Sequence, residues 1–183
     1  MNIVALDPSL RGFGLYSIRD GVEHSEVKSI PASVDRLDTL GRILSWLSRV
    51  SAEPWDLCIV EDYAFSGGRD RGQNSRSVTV QAEVGGIARG LFRARKVPVM
   101  EIPIGVWKSV TGIRLQKGTA MHKSDYQNAV SNLYGKRFGS LDETDAFLLY
   151  QTVKKCGLEP SIGAGAARIR QQLEELKINA REM

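Results

Sequence analysis

The sequence IVALD at residues 3–7 decides the fold, because it is an apolar run that ends in a carboxylate. Four consecutive apolar residues predict a buried strand. A carboxylate at the end of such a strand is costly to desolvate unless a cation or hydrogen-bond donors compensate it. Asp7 on its own also fits a turn former, because Pro8 and Ser9 follow it directly.

A second run, LCIVE at residues 57–61, repeats this arrangement. Glutamate is depleted in strands, so Glu61 at the end of an apolar run is harder to explain than Asp7. The next residue, Asp62, is expected on the opposite face of the sheet, because side chains alternate along a strand. The two runs therefore predict two strand-end carboxylates, Asp7 and Glu61.

A third acidic group precedes the apolar run AFLLY at residues 146–150. Asp142 and Asp145 are three residues apart and share one face of the predicted helix. Asp142 equally fits a capping or first-turn acid that the helix dipole stabilises, and Glu143 is a reserve ligand. Together with the two strand-end acids, this pair predicts a divalent-metal site and metal-dependent phosphodiester chemistry.

Hydrophobic periodicity predicts the elements between these acids. Residues 13–19 and 22–29 form a hairpin around Asp20 and Gly21, so three antiparallel strands open the domain. The later segments are a helix from Ser33 or Asp35, a strand at 56–61, a long helix at 75–94, a strand at 97–102, a short helix from Pro103, and helices near 119–133, 141–155 and 166–177. This order predicts a mixed α/β sheet with helices on both faces.

Two of the predicted helices carry distinct stripes of residues. The first is expected to bury one apolar face, formed by Leu37, Leu40, Ile43, Leu44, Leu47 and Val50. The long helix has an apolar stripe (Val80, Val84, Ile87, Leu91) and a small-residue stripe (Val78, Ala82, Gly86, Gly90) on roughly opposite faces. Glycine inside a helix costs about 1 kcal/mol relative to alanine, so the small-residue stripe predicts close approach of another element or subunit.

Composition narrows the class of protein. A chain of 183 residues with 42% apolar and 25% charged residues is typical of a single globular domain. No run approaches a membrane span and no signal peptide precedes the first strand, which predicts a cytoplasmic protein with no membrane partner. Cys58 and Cys156 lack metal-site spacing and are predicted to be reduced structural thiols.

Positive charge is concentrated in the middle of the chain. Residues 62–137 contain thirteen Lys and Arg against five Asp and Glu, a net +8, whereas the rest of the chain is −4. This distribution predicts a polyanion-binding surface around the carboxylates. A solvated basic face is the simpler alternative.

These motifs, in this order, resemble the RuvC family of Holliday junction resolvases. The resemblance is carried by ALDPS at 5–9 with Gly12 and Gly14, IVE at 59–61, and DETDA at 142–146. Between them, QAE at 81–83 with ARG at 88–90, and VWKSVTG at 106–112 followed by Lys123 and Ser124, are also similar to the family. Coverage is about residues 1–155. Ser9 stands where a glycine is expected, and the stretch from Gly112 to Lys123 is longer than in bacterial members, which fits a divergent, phage-type member.

The resemblance implies an RNase H-like fold, with five strands of which three are antiparallel and two parallel. It divides the chain into a nuclease domain at 1–158 and a helical extension at 159–183. It also implies that Asp7, Glu61, Asp142 and Asp145 hold two Mg²⁺ ions, with Mn²⁺ as a substitute. One metal would lower the pKa of a bound water, and the other would stabilise the leaving 3′ oxygen.

The implied function is resolution of four-way junctions by paired symmetric nicks, performed by a homodimer in the cytoplasm of a bacterial or phage-infected cell. Phe65 resembles the aromatic wedge of the family and equally fits a core residue. The expected phosphate-binding residues are Lys108, Lys117, Lys123, Arg69, Arg71 and Arg76. Two alternatives stay open: a non-catalytic junction-binding protein, and another RNase H-like nuclease that acts on hybrid or linear substrates.

Overall fold

The computed structural model describes residues 1–62, 75–113, 123–158, 164–176, 178 and 183, with the backbone alone at 75–80, 123–124 and 164–165. Within these residues five strands form one sheet in the order β3-β2-β1-β4-β5. The strands are β1 (Ile3–Asp7), β2 (Gly12–Arg19), β3 (Val22–Ser29), β4 (Leu57–Asp62) and β5 (Val99–Pro103). β1, β2 and β3 pair antiparallel, and β4 and β5 continue the sheet in parallel. The predicted RNase H-like arrangement of strands is confirmed.

Six helices lie among the described residues. They are α1 (Arg36–Val50), α2 (Ser75–Ala94), α3 (Ile104–Thr111), α4 (Lys123–Tyr134), α5 (Leu141–Leu158) and α6 (Ala164–Glu175). Local signals explain several boundaries. Asp20 and Gly21 adopt positive φ angles of 51° and 79°, as a tight hairpin turn requires. The Asp35 carboxylate accepts hydrogen bonds from the backbone N–H groups of Leu37 and Asp38 and so begins α1.

The sheet has a core on each face, and strand alternation decides which residue enters which core. The first core, against α3, α4, α5 and α6, contains Ile3, Ala5, Leu57 and Ile59. The second core, against α1 and α2, contains the intervening residues Val4, Leu6, Cys58 and Val60. Both faces of β1 and β4 are therefore buried, which explains their continuous apolar sequences.

The apolar face predicted for α1 is partly wrong. Ile43 and Leu47 are buried as expected, but Leu37 is 79% exposed and Leu44 is also exposed. The buried face turns instead toward Trp46, whose ring meets Phe13 edge-on with centroids 5.2 Å apart. A stripe of leucines alone could not show which flank of the helix the aromatic ring would occupy.

The long helix α2 buries one face and exposes the other. Val84, Ala88 and Phe92 enter the core shared with α1. Ala82, Gly86 and Gly90 of the small-residue stripe are exposed, and a Cβ added at Gly90 would meet nothing within 4 Å. Within the described part of the chain, no element therefore packs closely on Gly90.

The helix α5 is the central element of the first core. Its residues Ala146–Tyr150 are almost wholly buried, because β1 and β2 lie on one side of it and α3, α4 and α6 on the others. The described part of the extension also packs here: Ala166, Ile169 and Leu173 of α6 are buried in the same core. The division at residue 158 stays a prediction.

No helix among the described residues is long and apolar enough to cross a membrane. Cys58 and Cys156 are both buried, and neither forms a disulfide within the described part of the chain.

Candidate active site

Asp7 and Glu61 end two neighbouring parallel strands on the same face of the sheet. Leu6 pairs with Val60 in the β1–β4 register, so the next residues along the two strands are neighbours. By alternation with Ala5 and Ile59, both carboxylates point toward the core that contains α5. Asp7 is 5% exposed and Glu61 is 3% exposed. The sheet thus presents two nearly buried acids to one helix.

Glycines on β2 bring the start of α5 against this end of the sheet. A Cβ at Gly14 would lie 2.0 Å from the backbone oxygen of Asp142, and a Cβ at Gly12 would lie 2.4 Å from Asp142 Oδ2. Gly14 is also the antiparallel partner of Asp7. The absence of side chains at Gly12 and Gly14 therefore lets Asp142 approach the strand pair that carries Asp7.

The carboxylate of Glu61 has a buried hydrogen-bond donor. Trp107, on α3, donates its indole Nε1–H to Glu61 Oε1 at 2.7 Å. Trp107 is 1% exposed and belongs to the first core. The indole N–H can only donate, so Glu61 Oε1 must accept.

The carboxylate of Asp145 has an equivalent donor from another helix. Tyr126, on α4, donates its hydroxyl hydrogen to Asp145 Oδ1. Burial raises the pKa of Asp145 to about 7; the Tyr126 hydrogen bond and the charge of Lys108 lower it, whereas the charges of Glu61 and Asp142 raise it. Burial and the neighbouring acids therefore outweigh the effects of Tyr126 and Lys108 on this pKa.

The phenol of Tyr126 responds to the same acids. Burial, followed by Asp145, Asp7 and Glu61, raises the pKa of Tyr126 well above its usual range. The hydroxyl is therefore protonated at neutral pH and available as a donor. The charges of Asp7, Glu61 and Asp145 act on Tyr126, and those of Glu61 and Asp142 act on Asp145. All four predicted acids are therefore within electrostatic range of Tyr126 or Asp145.

Glu143, the reserve ligand, has other partners. Its backbone N–H donates to Ser140 Oγ at 3.1 Å, and its carboxylate accepts from Ser140 Oγ at 3.0 Å and from Ser25 Oγ at 3.2 Å. The spacing of Ser140 and Glu143 is that of a capping box at the start of α5. Glu143 thus fixes the beginning of the helix to β3, and this supports Asp142 as the ligand.

The donor set fits a hard divalent cation. It consists of carboxylate oxygens alone, which suit Mg²⁺ or Mn²⁺. Burial first, and then the charges of Glu61 and Asp142, raise the pKa of Asp145. Among the described residues, however, no three His, Cys, Asp or Glu side chains lie close enough together to hold an ion. Metal ligation by the four acids stays a prediction.

Lys108 is the one predicted DNA-binding residue whose side chain the structure describes. It is partly buried on α3, its Nζ lies 5.2 Å from the centroid of the Trp107 ring, and its charge acts on Asp145. Arg76 and Lys123 lie at the beginnings of α2 and α4, where only the backbone is described. The predictions for Phe65, Arg69, Arg71 and Lys117 fall outside the described residues.

Part of the positive charge in the middle of the chain is locally neutralised. Arg89 and Arg93 both pair with Glu101, at 3.5 and 2.8 Å. Arg36 pairs with Glu83, and Lys136 pairs with Glu23. Three cations of residues 62–137 therefore have acidic partners among the described residues, and two of them share Glu101, which the net charge of +8 already counts.

Comparison with known proteins shows which solved structures have a similar fold. No protein-family model matches the chain, and no curated protein matches it in sequence. Among solved structures, it is similar to Thermus thermophilus RuvC in complex with a Holliday junction substrate, with a TM-score of 0.63 and 15% identity over 88% of this chain and 98% of that one. The chain has the RuvC fold. A second Thermus thermophilus RuvC structure matches with a TM-score of 0.58 and 18% identity, covering 92% of this chain and 96% of the other.

Two residues that contact acids of this candidate site, Trp107 and Tyr126, were not predicted from the sequence. Trp107 lies in the motif VWKSVTG, but neither this motif nor the sequence around Tyr126 indicates an acidic partner. Buried tyrosine and tryptophan side chains usually donate their polar hydrogen to a hydrogen-bond acceptor. The residue types alone therefore indicate that both side chains would need an acceptor if buried. Their acceptors could not be identified, because Trp107 is 46 residues from Glu61 and Tyr126 is 19 residues from Asp145.

Proposed function

We propose that this chain is a structure-specific endodeoxyribonuclease that resolves Holliday junctions by paired symmetric nicks. The observation that carries the proposal is the convergence of two strand-end acids and two α5 acids on one face of a RuvC-fold sheet. The similar solved structures are covered almost completely, so the fold resemblance includes the whole neighbouring chains. One of those RuvC structures contains a junction substrate.

We propose that Asp7, Glu61, Asp142 and Asp145 hold two Mg²⁺ ions. Ions bound there would supply an activated water and stabilise the leaving 3′ oxygen. The chain contributes two nearly buried acids, Asp7 and Glu61, on neighbouring strands and two partly buried acids, Asp142 and Asp145, on one helix. Restricted access of bulk water strengthens electrostatic interactions with a bound phosphodiester.

Lys108 is the best-supported phosphate ligand of the chain itself. It is partly buried and acts electrostatically on Asp145, so a phosphate that approaches the acids would also approach this ammonium group. We propose that the other six DNA-binding candidates, Phe65, Arg69, Arg71, Arg76, Lys117 and Lys123, extend this contact along the junction. The molecule would act in the cytoplasm of a bacterial or phage-infected cell.

Paired nicking requires two active sites, and we propose a homodimer. The exposed small-residue face of α2, at Ala82, Gly86 and Gly90, is the proposed contact. Glycines on an exposed helix face lower helix propensity, and no described element packs closely on Gly90. Close packing by a second copy would compensate that cost.

The decisive experiment is cleavage of a four-way junction labelled on each strand in turn, with and without Mg²⁺. Wild type should nick two strands symmetrically, and Asp145→Asn should reduce nicking at least about 100-fold while it still binds the junction. Asp38→Asn, an exposed acid on α1, is the matched control and should cleave normally. Undiminished nicking by Asp145→Asn would refute the proposed site.

The same assay separates the alternatives. Junction binding that is unaffected by Mg²⁺ and by Asp7→Asn, with no cleavage by wild type, would indicate a non-catalytic junction-binding protein. Faster cleavage of hybrid or linear substrates than of the junction would indicate a different RNase H-like nuclease.

A further inference from the structure

We infer that Trp107 and Tyr126 are a pair of neutral positioning residues that hold Glu61 and Asp145 in the orientation needed for metal binding. The inference rests on the proposed function, since it assigns a role within the same site. Neither residue is expected to touch the DNA or the metal. Each acts through the carboxylate to which it donates.

The geometry of the two contacts is alike. Trp107 donates from α3 to Oε1 of Glu61, and Tyr126 donates from α4 to Oδ1 of Asp145. In each case one carboxylate oxygen accepts from a buried aromatic side chain. A carboxylate fixed in this way keeps a defined direction for its second oxygen, which is what a metal ligand requires.

Burial makes these orientations rigid. Trp107 is 1% exposed and Tyr126 is 9% exposed, and both rings belong to the same core as α5. Each aromatic side chain has few rotatable bonds, and packing on the α5 side of the sheet limits those that remain. The two acids are therefore oriented from helices α3 and α4, which pack around α5.

The donors are also neutral, and this has a consequence for the metal. An Arg or Lys at either position would pair with the acid and balance its charge. An indole or phenol orients the acid and leaves most of its negative charge uncompensated, so the attraction for a cation is retained. Lys108 is the cation whose charge acts on Asp145 in the described part of the site.

Matched aromatic residues elsewhere allow a controlled test. Trp46 donates its indole N–H to Glu26 Oε1 at 3.0 Å on the opposite face of the sheet. Tyr134 lies on α4, like Tyr126, and donates its hydroxyl to the backbone oxygen of Thr111 at 3.3 Å. Trp46→Phe and Tyr134→Phe therefore remove the same chemical groups from a buried and a partly buried position without removing a donor to Glu61 or Asp145.

The experiment is calorimetric titration of the DNA-free, full-length chain with Mn²⁺, followed by junction cleavage at increasing Mn²⁺. Trp107→Phe and Tyr126→Phe should each weaken metal binding about 10- to 100-fold, the usual effect of removing a group that orients a metal ligand. Cleavage should recover at high Mn²⁺, because the ligands themselves remain. Trp46→Phe and Tyr134→Phe should bind Mn²⁺ like wild type.

The outcomes are distinguishable. If wild type binds Mn²⁺ and cleaves junctions while Trp107→Phe and Tyr126→Phe bind with unchanged affinity, the inference is overturned and the proposed function stands. Equal losses in Trp46→Phe and Tyr134→Phe would also overturn it, because the effect would then come from general packing. If wild type neither binds Mn²⁺ nor cleaves the junction, the proposed function fails, and the inference fails with it.

Discussion

At the scale of single residues, the glycines of β2 have a specific steric role. Gly14 faces the backbone of Asp142, and an added Cβ would lie 2.0 Å from its oxygen. Backbone atoms cannot move aside as a flexible side chain can, so α5 would have to shift. The position of Asp142 relative to Asp7 therefore depends on a residue that has no functional group.

Gly14→Ala should lower the free energy of unfolding by about 1–3 kcal/mol, the usual cost of overpacking, and should reduce junction nicking. Urea denaturation and the cleavage assay measure the two effects. Gly41→Ala is the control, because a Cβ at Gly41, inside α1, meets nothing within 4 Å. It should raise stability by up to about 1 kcal/mol. Equal stability changes in both variants would contradict this account.

The two neighbouring acids of α5 should respond differently to loss of charge. Asp142→Asn should reduce nicking at least about 100-fold with little change in stability, because this residue is proposed to bind metal. Glu143→Gln should keep most of the activity and lose about 1 kcal/mol of stability, since its carboxylate accepts from Ser25 and Ser140. Cleavage rates and urea denaturation test both statements. A more severe loss of activity in Glu143→Gln would exchange their roles.

At the scale of secondary-structure elements, α6 contributes to the main core. Its residues Ala166, Ile169 and Leu173 are buried against the same group of side chains as α5. The backbone oxygen of Met183 also accepts a hydrogen bond from the hydroxyl of Tyr150 on α5. The described part of the extension therefore supports the helix that carries Asp142 and Asp145.

Leu173→Ala should destabilise the fold by about 2–4 kcal/mol, the usual cost of removing a buried leucine side chain. Glu174→Ala, on the exposed face of the same helix, should change stability by less than about 0.5 kcal/mol. Thermal and urea denaturation of both variants test the prediction. Wild-type stability in Leu173→Ala would mean that α6 is not part of the folded core in solution.

At the scale of the whole molecule, the exposed small-residue face of α2 predicts self-association. Gly90→Trp places a large side chain on this face, and no atom of the described residues lies within 4 Å of the added Cβ. Light scattering should show a dimer for wild type and a monomer for Gly90→Trp. Paired nicking should decline more than single nicking.

The control for this prediction is Gly41→Trp, which adds the same side chain to an open position on α1. It should stay dimeric. Wild type that is monomeric at micromolar concentration and still resolves junctions would refute the dimer, whereas a dimeric Gly90→Trp would place the contact on another surface.

The sequence by itself determined the order of the elements and most of their boundaries. Strand ends, the Asp20–Gly21 turn and the Asp35 cap are local signals, so the hairpin and α1 began where predicted. The two strand-end acids could also be expected to lie together, because parallel neighbouring strands end at one edge of a sheet. The side chains of local turns and caps act within a few residues, which is why they can be recognised without the fold.

The tertiary structure decided the rest. In the folded chain Trp46 of α1 is buried and Leu37 is exposed. The Glu143 carboxylate accepts hydrogen bonds from Ser25 and Ser140. Trp107 and Tyr126 donate to Glu61 and Asp145, respectively. Each of these outcomes depends on a contact between residues distant in sequence or on the choice of one helix flank over another. Such contacts form only when the sheet and helices pack together. Hydrophobic periodicity and motif spacing describe local sequence, so they do not predict these contacts.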